Sequence, residues 1–260
     1  MTSALVGDYE VRLIPTGTGS FPGSMVFWGS DHLVRHDLTF HSVLIRGHGR
    51  TILINTGFPD DLAPVNDAYS RSMGTTIAHD ENLVDALATL GVGPEGVTDV
   101  ILAPLGLYST GAALRFSDAT FWIAREGWVS FHTSPDHPHD RPDSTIPPSL
   151  LAWLTGAGRA QLRLVDDDEI APGIRAWWTG GHHRASMCIE VATDTAPLAI
   201  SDVYFHERNF TDDHPVGMSE NIYEILDAYR RIRRSGAVAV PLFDPGNRTR
   251  FPGGVVGVAS

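Results

Sequence analysis

Apolar and polar residues alternate with period two over residues 9–14, the pattern of a strand with one buried face. Residues 41–46 and 51–55 carry the same β-rich signal, and Gly47-His-Gly-Arg50 between them predicts a hairpin. Residues 99–103 are apolar after Asp99, as a fully buried strand is, and they empty into a loop of small residues around Gly106 and Gly111. Further strands are expected at 120–124, 161–165 and 174–178, and 187–191 is an apolar run. Leu83, Ala86, Leu87 and Leu90 have helical spacing and predict a helix capped by Asp80 and stopped at Gly91. A helical turn is expected from Arg125 and a short helix over 149–155. Three stretches read as loops: the turn-rich 15–23, the proline-rich 131–148, and the acidic run Asp166 to Glu169, taken as a solvated turn.

Strands interleaved with helices place the chain in the α/β class, and 260 residues are enough for one large domain with a substantial core. A net charge of -12 argues against nucleic acid or an anionic membrane as partner and leaves a small molecule as the expected ligand. The first residues have neither a basic n-region nor an apolar h-region, so a cytoplasmic location is expected. Cys188 is the sole cysteine, which excludes a multi-cysteine metal site, and its apolar neighbours predict a buried thiol. Trp177 and Trp178 are expected in the core or a pocket wall.

The run VILAPLGLYSTGAALRFSD, residues 100–118, resembles the metal-binding loop of the metallo-β-lactamase superfamily, T-H-x-H-x-D-H-x-G-G. Without a gap, the family's metal ligands fall on Pro104, Gly106, Tyr108 and Ser109, none of them a usual zinc ligand. Residues 42–58 resemble the family's strand pair ending in D-T-G-F, with Asn55 in place of the Asp. Trp178-Thr-Gly-Gly-His-His-Arg-Ala-Ser186 resembles T-P-G-H-T-x-G-S and matches His182 to a ligand. The strand ending at Asp202 matches L-x-G-D, whose carboxylate bridges two metals. The last ligand position, in the frame V-P-G-H-D-P, falls on Phe243. Of seven ligand positions, His182 and Asp202 alone keep a donor. Residues 201–210 look most like the N-acyl-homoserine lactonase branch, whose assisting tyrosine falls on Phe205, with Tyr204 one place away.

The resemblance implies a single αββα four-layer sandwich over 1–260, with two mixed β-sheets face to face, helices outside and an insertion near 131–148. It also implies that His182, Asp202, Tyr108 and Ser109 converge, with His183, Tyr204, His206, Phe243 and Asn55 around a substrate. The expected chemistry uses no metal or other cofactor: His182, held by Asp202, acts as general base or acid, and Tyr108 or Ser109 moves a proton. Hydrolysis, elimination, cyclisation or isomerisation of a small organic molecule would fit. Two alternatives stand beside it. One is a non-catalytic small-molecule-binding pseudoenzyme. The other is a zinc-dependent lactone or ester hydrolase with a displaced site, for which His132, His137, His139 and Asp140 are the candidates. His32, His36 and His41 read as rim or surface histidines.

Overall fold

The computed structural model describes residues 9–133, 146–194 and 196–257. Thirteen strands are found there: β1 (Glu10–Pro22), β2 (Arg35–Gly47), β3 (Arg50–Ile54), β4 (Ile77–His79), β5 (Asp99–Leu102), β6 (Thr120–Ala124), β7 (Leu162–Val165), β8 (Asp167–Ala171), β9 (Ile174–Trp178), β10 (Met187–Val191), β11 (Leu198–Ser201), β12 (Val238–Pro241) and β13 (Val255–Gly257). One sheet has the order β13-β1-β2-β3-β5-β6-β7 with β4 also on β1, and the other β12-β11-β10-β9-β8. Both are mixed: β3, β5, β6 and β7 run parallel, as do β11 and β12, while the remaining pairs are antiparallel.

Strand alternation makes the layers. Ile45, Ile52, Ile54, Ile101 and Ala103 point into a core shared with the second sheet. Their neighbours Leu44, Leu53, Val100 and Leu102 point the other way, against Leu83, Leu87, Leu150 and Leu154 of the outer helices. On the second sheet, the helix Ile222–Ser235 buries Ile225, Ala228, Tyr229 and Ile232, one stripe at helical spacing. The expected αββα sandwich is therefore the observed one.

The 41–55 hairpin is present, and its turn places His48 and Gly49 at φ of +49° and +72°. Elsewhere the structure corrects the local reading. Residues 15–22 are a continuation of β1, paired with β2 as far as Arg35. Pro15 is accommodated at an irregularity in register between Pro15 and Gly17. Gly17 and Gly19 serve close packing, since a Cβ there would meet Phe58 or Ile77 at 2.8 Å. Asp167 to Glu169 belong to β8, an edge strand whose charges face solvent, with Arg175 and Arg231 pairing Asp167. The helix Leu83–Thr89 is capped by Asn82, whose side chain accepts from Val84 N and Asp85 N, and not by Asp80. The helix Arg125–Thr133 carries His132 into the segment expected as a loop; His137, His139 and Asp140 lie outside the described residues. Cys188 and Trp177 are buried, Trp178 partly so. No helix among the described residues is long and apolar enough to cross a membrane.

Asn55 ends β3 at φ +62°. Its Nδ2 donates to Ala103 O at 2.9 Å and its Oδ1 accepts from Ala103 N at 2.8 Å. Both faces of the amide are thus used on one backbone unit past the end of β5. A carboxylate could not donate to that carbonyl, which gives Asn55 a structural reason and removes it from the expected substrate-binding set. Asn55→Ala leaves two buried backbone groups unsatisfied and is expected to lower stability by about 3 kcal/mol in denaturant unfolding. A loss below about 1 kcal/mol would show that the clasp contributes little.

Candidate functional site

The clasp sets the course of the chain after β5. Residues 103–106 lead into the short helix Leu107–Thr110, and Ser109 closes its first turn. Ser109 Oγ accepts from Gly106 N at 2.9 Å and lies 2.5 Å from Pro104 O and 2.7 Å from Gly106 O. Its one proton goes to those carbonyls, and the side chain is fully buried. Ser109 is therefore a scaffold residue, and the expectation that it moves a proton is corrected. Gly106 lets the Tyr108 ring fold back over the backbone, where a Cβ would strike that ring at 2.8 Å.

Tyr108 is packed among Phe40, Phe58 and Phe243, with ring centroids 5.4, 6.4 and 5.3 Å away. Its Oη lies 3.0 Å from His182 Nε2. His182 follows β9 through Thr179-Gly-Gly181, is 7% exposed, and places Nδ1 2.6 Å from Met218 O. A carbonyl can only accept, so Nδ1 carries the proton, Nε2 is the free lone pair, and Tyr108 O–H donates to it. Burial lowers the His182 pKa, opposed by the Met218 carbonyl and the charge of Glu220. Burial raises the Tyr108 pKa well above its ordinary value, and Asp202, Tyr69 and Glu220 push it in the same direction. The resting couple is a neutral phenol on a neutral imidazole.

Asp202, just past β11, does not hold His182. Both imidazole nitrogens are engaged elsewhere, and the carboxylate instead accepts from Ser186 Oγ at 2.7 Å through Oδ2. Its Oδ1 is buried without a hydrogen-bond partner among the described residues. Burial pushes the Asp202 pKa up to about 7, against the Ser186 hydrogen bond.

The remaining expected residues divide. Phe243 is in the site, packed on Tyr108, Phe40 and Phe205, and it fills space. The Phe205 and His182 ring centroids lie 4.9 Å apart with the planes nearly perpendicular. Tyr204 is a core residue: its hydroxyl donates to Ala199 O and its ring packs on Phe210 and Tyr229. Adjacent positions point to opposite sides, so Phe205 takes the site and Tyr204 leaves the substrate-binding set. His206 joins a separate group with Phe27 and His36, its Nδ1 3.6 Å from Asp244 Oδ1. His183 accepts from Ala185 N at 2.9 Å through Nδ1, closing its own turn, and burial lowers its pKa to about 3. Met218, Phe40 and Ser186 were not among the expected site residues. Ser186 and Phe58 lay inside the quoted motifs, whereas a backbone carbonyl such as Met218 O leaves no sequence signal.

A cleft of about 200 Å³ on the other side of Phe58 is lined by Thr16, Asp60, His79, Glu81 and Arg115. A second, of about 390 Å³, is bordered by Arg12, His41 and Arg248. The Tyr108–His182 couple lines neither.

Solved structures share this architecture. An N-acyl homoserine lactone hydrolase, solved with the product N-hexanoyl-L-homoserine at its catalytic metal centre, matches with TM-score 0.77 at 17% identity, over 95% of this chain and 98% of that one. A probable metal-dependent hydrolase from Staphylococcus aureus matches with TM-score 0.72 at 15% identity, over 92% and 90%. The hydrolase AbOPH of the beta lactamase superfamily matches with TM-score 0.70 at 15% identity, over 98% and 91%. The chain has the metallo-β-lactamase fold. No protein-family model matches it, and no curated protein does.

The first of these holds its product at a catalytic metal centre, and the second is a probable metal-dependent hydrolase. Among the described residues no three His, Cys, Asp or Glu side chains converge on one point. His182 has no nitrogen to offer without breaking its bonds to Met218 or Tyr108. Phe205 and Phe243 place carbon where further donors would be needed. Among the described residues, those around His182 do not fit a dinuclear metal centre.

Proposed function

We propose that the protein is a metal-independent acid–base enzyme acting on a small organic substrate through Tyr108 and His182. The observation that carries this is the chain Tyr108 Oη, His182 Nε2, His182 Nδ1 and Met218 O, with links of 3.0 and 2.6 Å. A hydroxyl on a base, itself oriented by a third group, is the arrangement that activates an oxygen for proton abstraction or attack. As Tyr108 Oη takes a proton from the substrate, or attacks its carbonyl carbon, its own proton passes to Nε2. The imidazolium so formed is held by the Met218 carbonyl through Nδ1–H, and the proton returns by the same path. Burial, with the Asp202 charge acting in the same direction, keeps the phenol protonated at rest. Ester or lactone opening, elimination, cyclisation and isomerisation each use such a step.

A second reading is a non-catalytic small-molecule-binding protein. The enclosure of the couple by Phe40, Phe58, Phe205 and Phe243 and the use of Ser109 within its own turn favour it. A panel of lactones, esters and enolisable carbonyl compounds, N-acyl-homoserine lactones included, separates the two when turnover and binding are measured on the same compounds with and without chelator. Turnover unaffected by chelator is expected. Binding without turnover favours the second reading; chelator-sensitive turnover, or a stoichiometric pair of metal ions in protein purified without a histidine tag, overturns the first.

A further inference from the structure

The Tyr108–His182 couple depends on a segment far from it in sequence. Gly180 and Gly181 have φ of +57° and +82°, and a Cβ on them would lie 2.3 Å from Glu224 Oε2 and 2.5 Å from Ile225 Cγ1 respectively. That approach brings the His182 turn against the start of the helix Ile222–Ser235. Gly181 O accepts from Glu220 N at 2.7 Å and Asn221 N at 2.9 Å, and Gly181 N donates to Glu224 Oε2 at 2.9 Å. Arg184 spans the same junction. Its Nε donates to Glu220 Oε2 at 2.9 Å, and its Nη2 pairs with Glu224. The guanidinium lies 5.2 Å from the Trp178 ring centroid, and Trp178 Nε1 donates to Arg184 O at 2.8 Å, so the arginine is held from both ends.

We propose that Arg184 is a positioning residue: by bridging Glu220 and Glu224 it anchors segment 216–221 so that the Met218 carbonyl fixes the His182 tautomer. The proposal rests on the reading that this couple is the reactive one. Met218 is two residues before Glu220, and its own N–H is bonded to Met25 O at 2.7 Å. Without the cation, the Glu220 and Glu224 carboxylates repel each other, and the segment before Glu220, still tied through its backbone to Gly181 O and Met25 O, loses its side-chain tie to Arg184 and shifts the Met218 carbonyl off Nδ1. His182 Nδ1 then lacks its acceptor and the proton moves to Nε2. Tyr108 would face an N–H in place of a lone pair and lose its base.

Long-range 1H–15N correlation spectra of the substrate-free protein report this directly, with His41, whose Nδ1 lies 3.1 Å from Leu242 O, as the reference imidazole for an intact fold. Wild type is expected to show His182 protonated at Nδ1. Arg184→Met should show the Nε2–H form or a mixture, with His41 unchanged and turnover reduced in step with the lost tautomer; Arg184→Lys should restore part of it. Should Arg184→Met fail to fold, Glu220→Ala, at a partly exposed side chain, is expected to give the same mixture. A fully Nδ1-protonated His182 in folded Arg184→Met or Glu220→Ala protein overturns the proposal. Wild type already protonated at Nε2 would instead overturn the reactive-couple reading, which keeps the two failures apart.

Discussion

Asp202→Asn is expected to stabilise the protein at pH 8 by on the order of 4 kcal/mol and to leave its stability unchanged below about pH 4. Asp202 is fully buried, and burial moves its carboxyl from an ordinary value of 3.8 up to about 7. Below the unfolded value both states hold the proton, and the carboxyl contributes no pH dependence. Between the two values the unfolded chain releases the proton and the folded one keeps it, so stability falls with rising pH by about 1.4 kcal/mol per unit. Above the folded value the full penalty of a buried charge is present and constant. An amide has nearly the same shape, can still accept from Ser186 Oγ, and carries no charge to bury. Urea unfolding of both proteins at pH 4, 6 and 8 gives the difference. A gain that does not grow with pH would mean that the Asp202 carboxyl titrates in the ordinary range.

What the sequence made legible follows from where each physical constraint is local. The alternation in residues 41–55 and the apolar run at 99–103 encode which side of a strand is buried, and the sandwich follows from that. Glycine in residues 15–23 was ambiguous because the same residue serves a turn or a close approach. Only the partners, Phe58 and Ile77, reveal that Gly17 and Gly19 are strand residues. Asp166 to Glu169 looked like a turn because edge strands carry the charges that turns also favour. His182, Tyr108 and Phe243, far apart in sequence, lie together. The pairing of His182 with Asp202 was wrong because a short hydrogen bond to a backbone carbonyl 36 residues away took the nitrogen first. Ser109 was polar in the right place, yet a hydroxyl three residues from a helix start has a nearer use in closing the turn. Tyr204 and Phe205 differ by one position, which in the bend after β11 is the difference between core and site.

Tyr108→Phe is expected to lower turnover by roughly 100-fold to 10,000-fold, the range for removing a positioned proton-transfer group, while changing KM little. The ring stays among Phe40, Phe58 and Phe243, and one buried hydrogen bond is lost, so stability should fall by only about 1 kcal/mol. That small structural effect makes the phenylalanine the cleanest variant of the site. His182→Ala should reduce turnover as much at a larger cost in stability, since it also removes the ring that meets Phe205. Because phenol and imidazole act as one unit, the double variant should be no slower than the worse single one. Steady-state rates for the three proteins on any substrate found for wild type decide the matter. Multiplicative losses would show that the two residues work independently. Full turnover in Tyr108→Phe would remove the phenol from the chemistry and leave the imidazole to be explained alone.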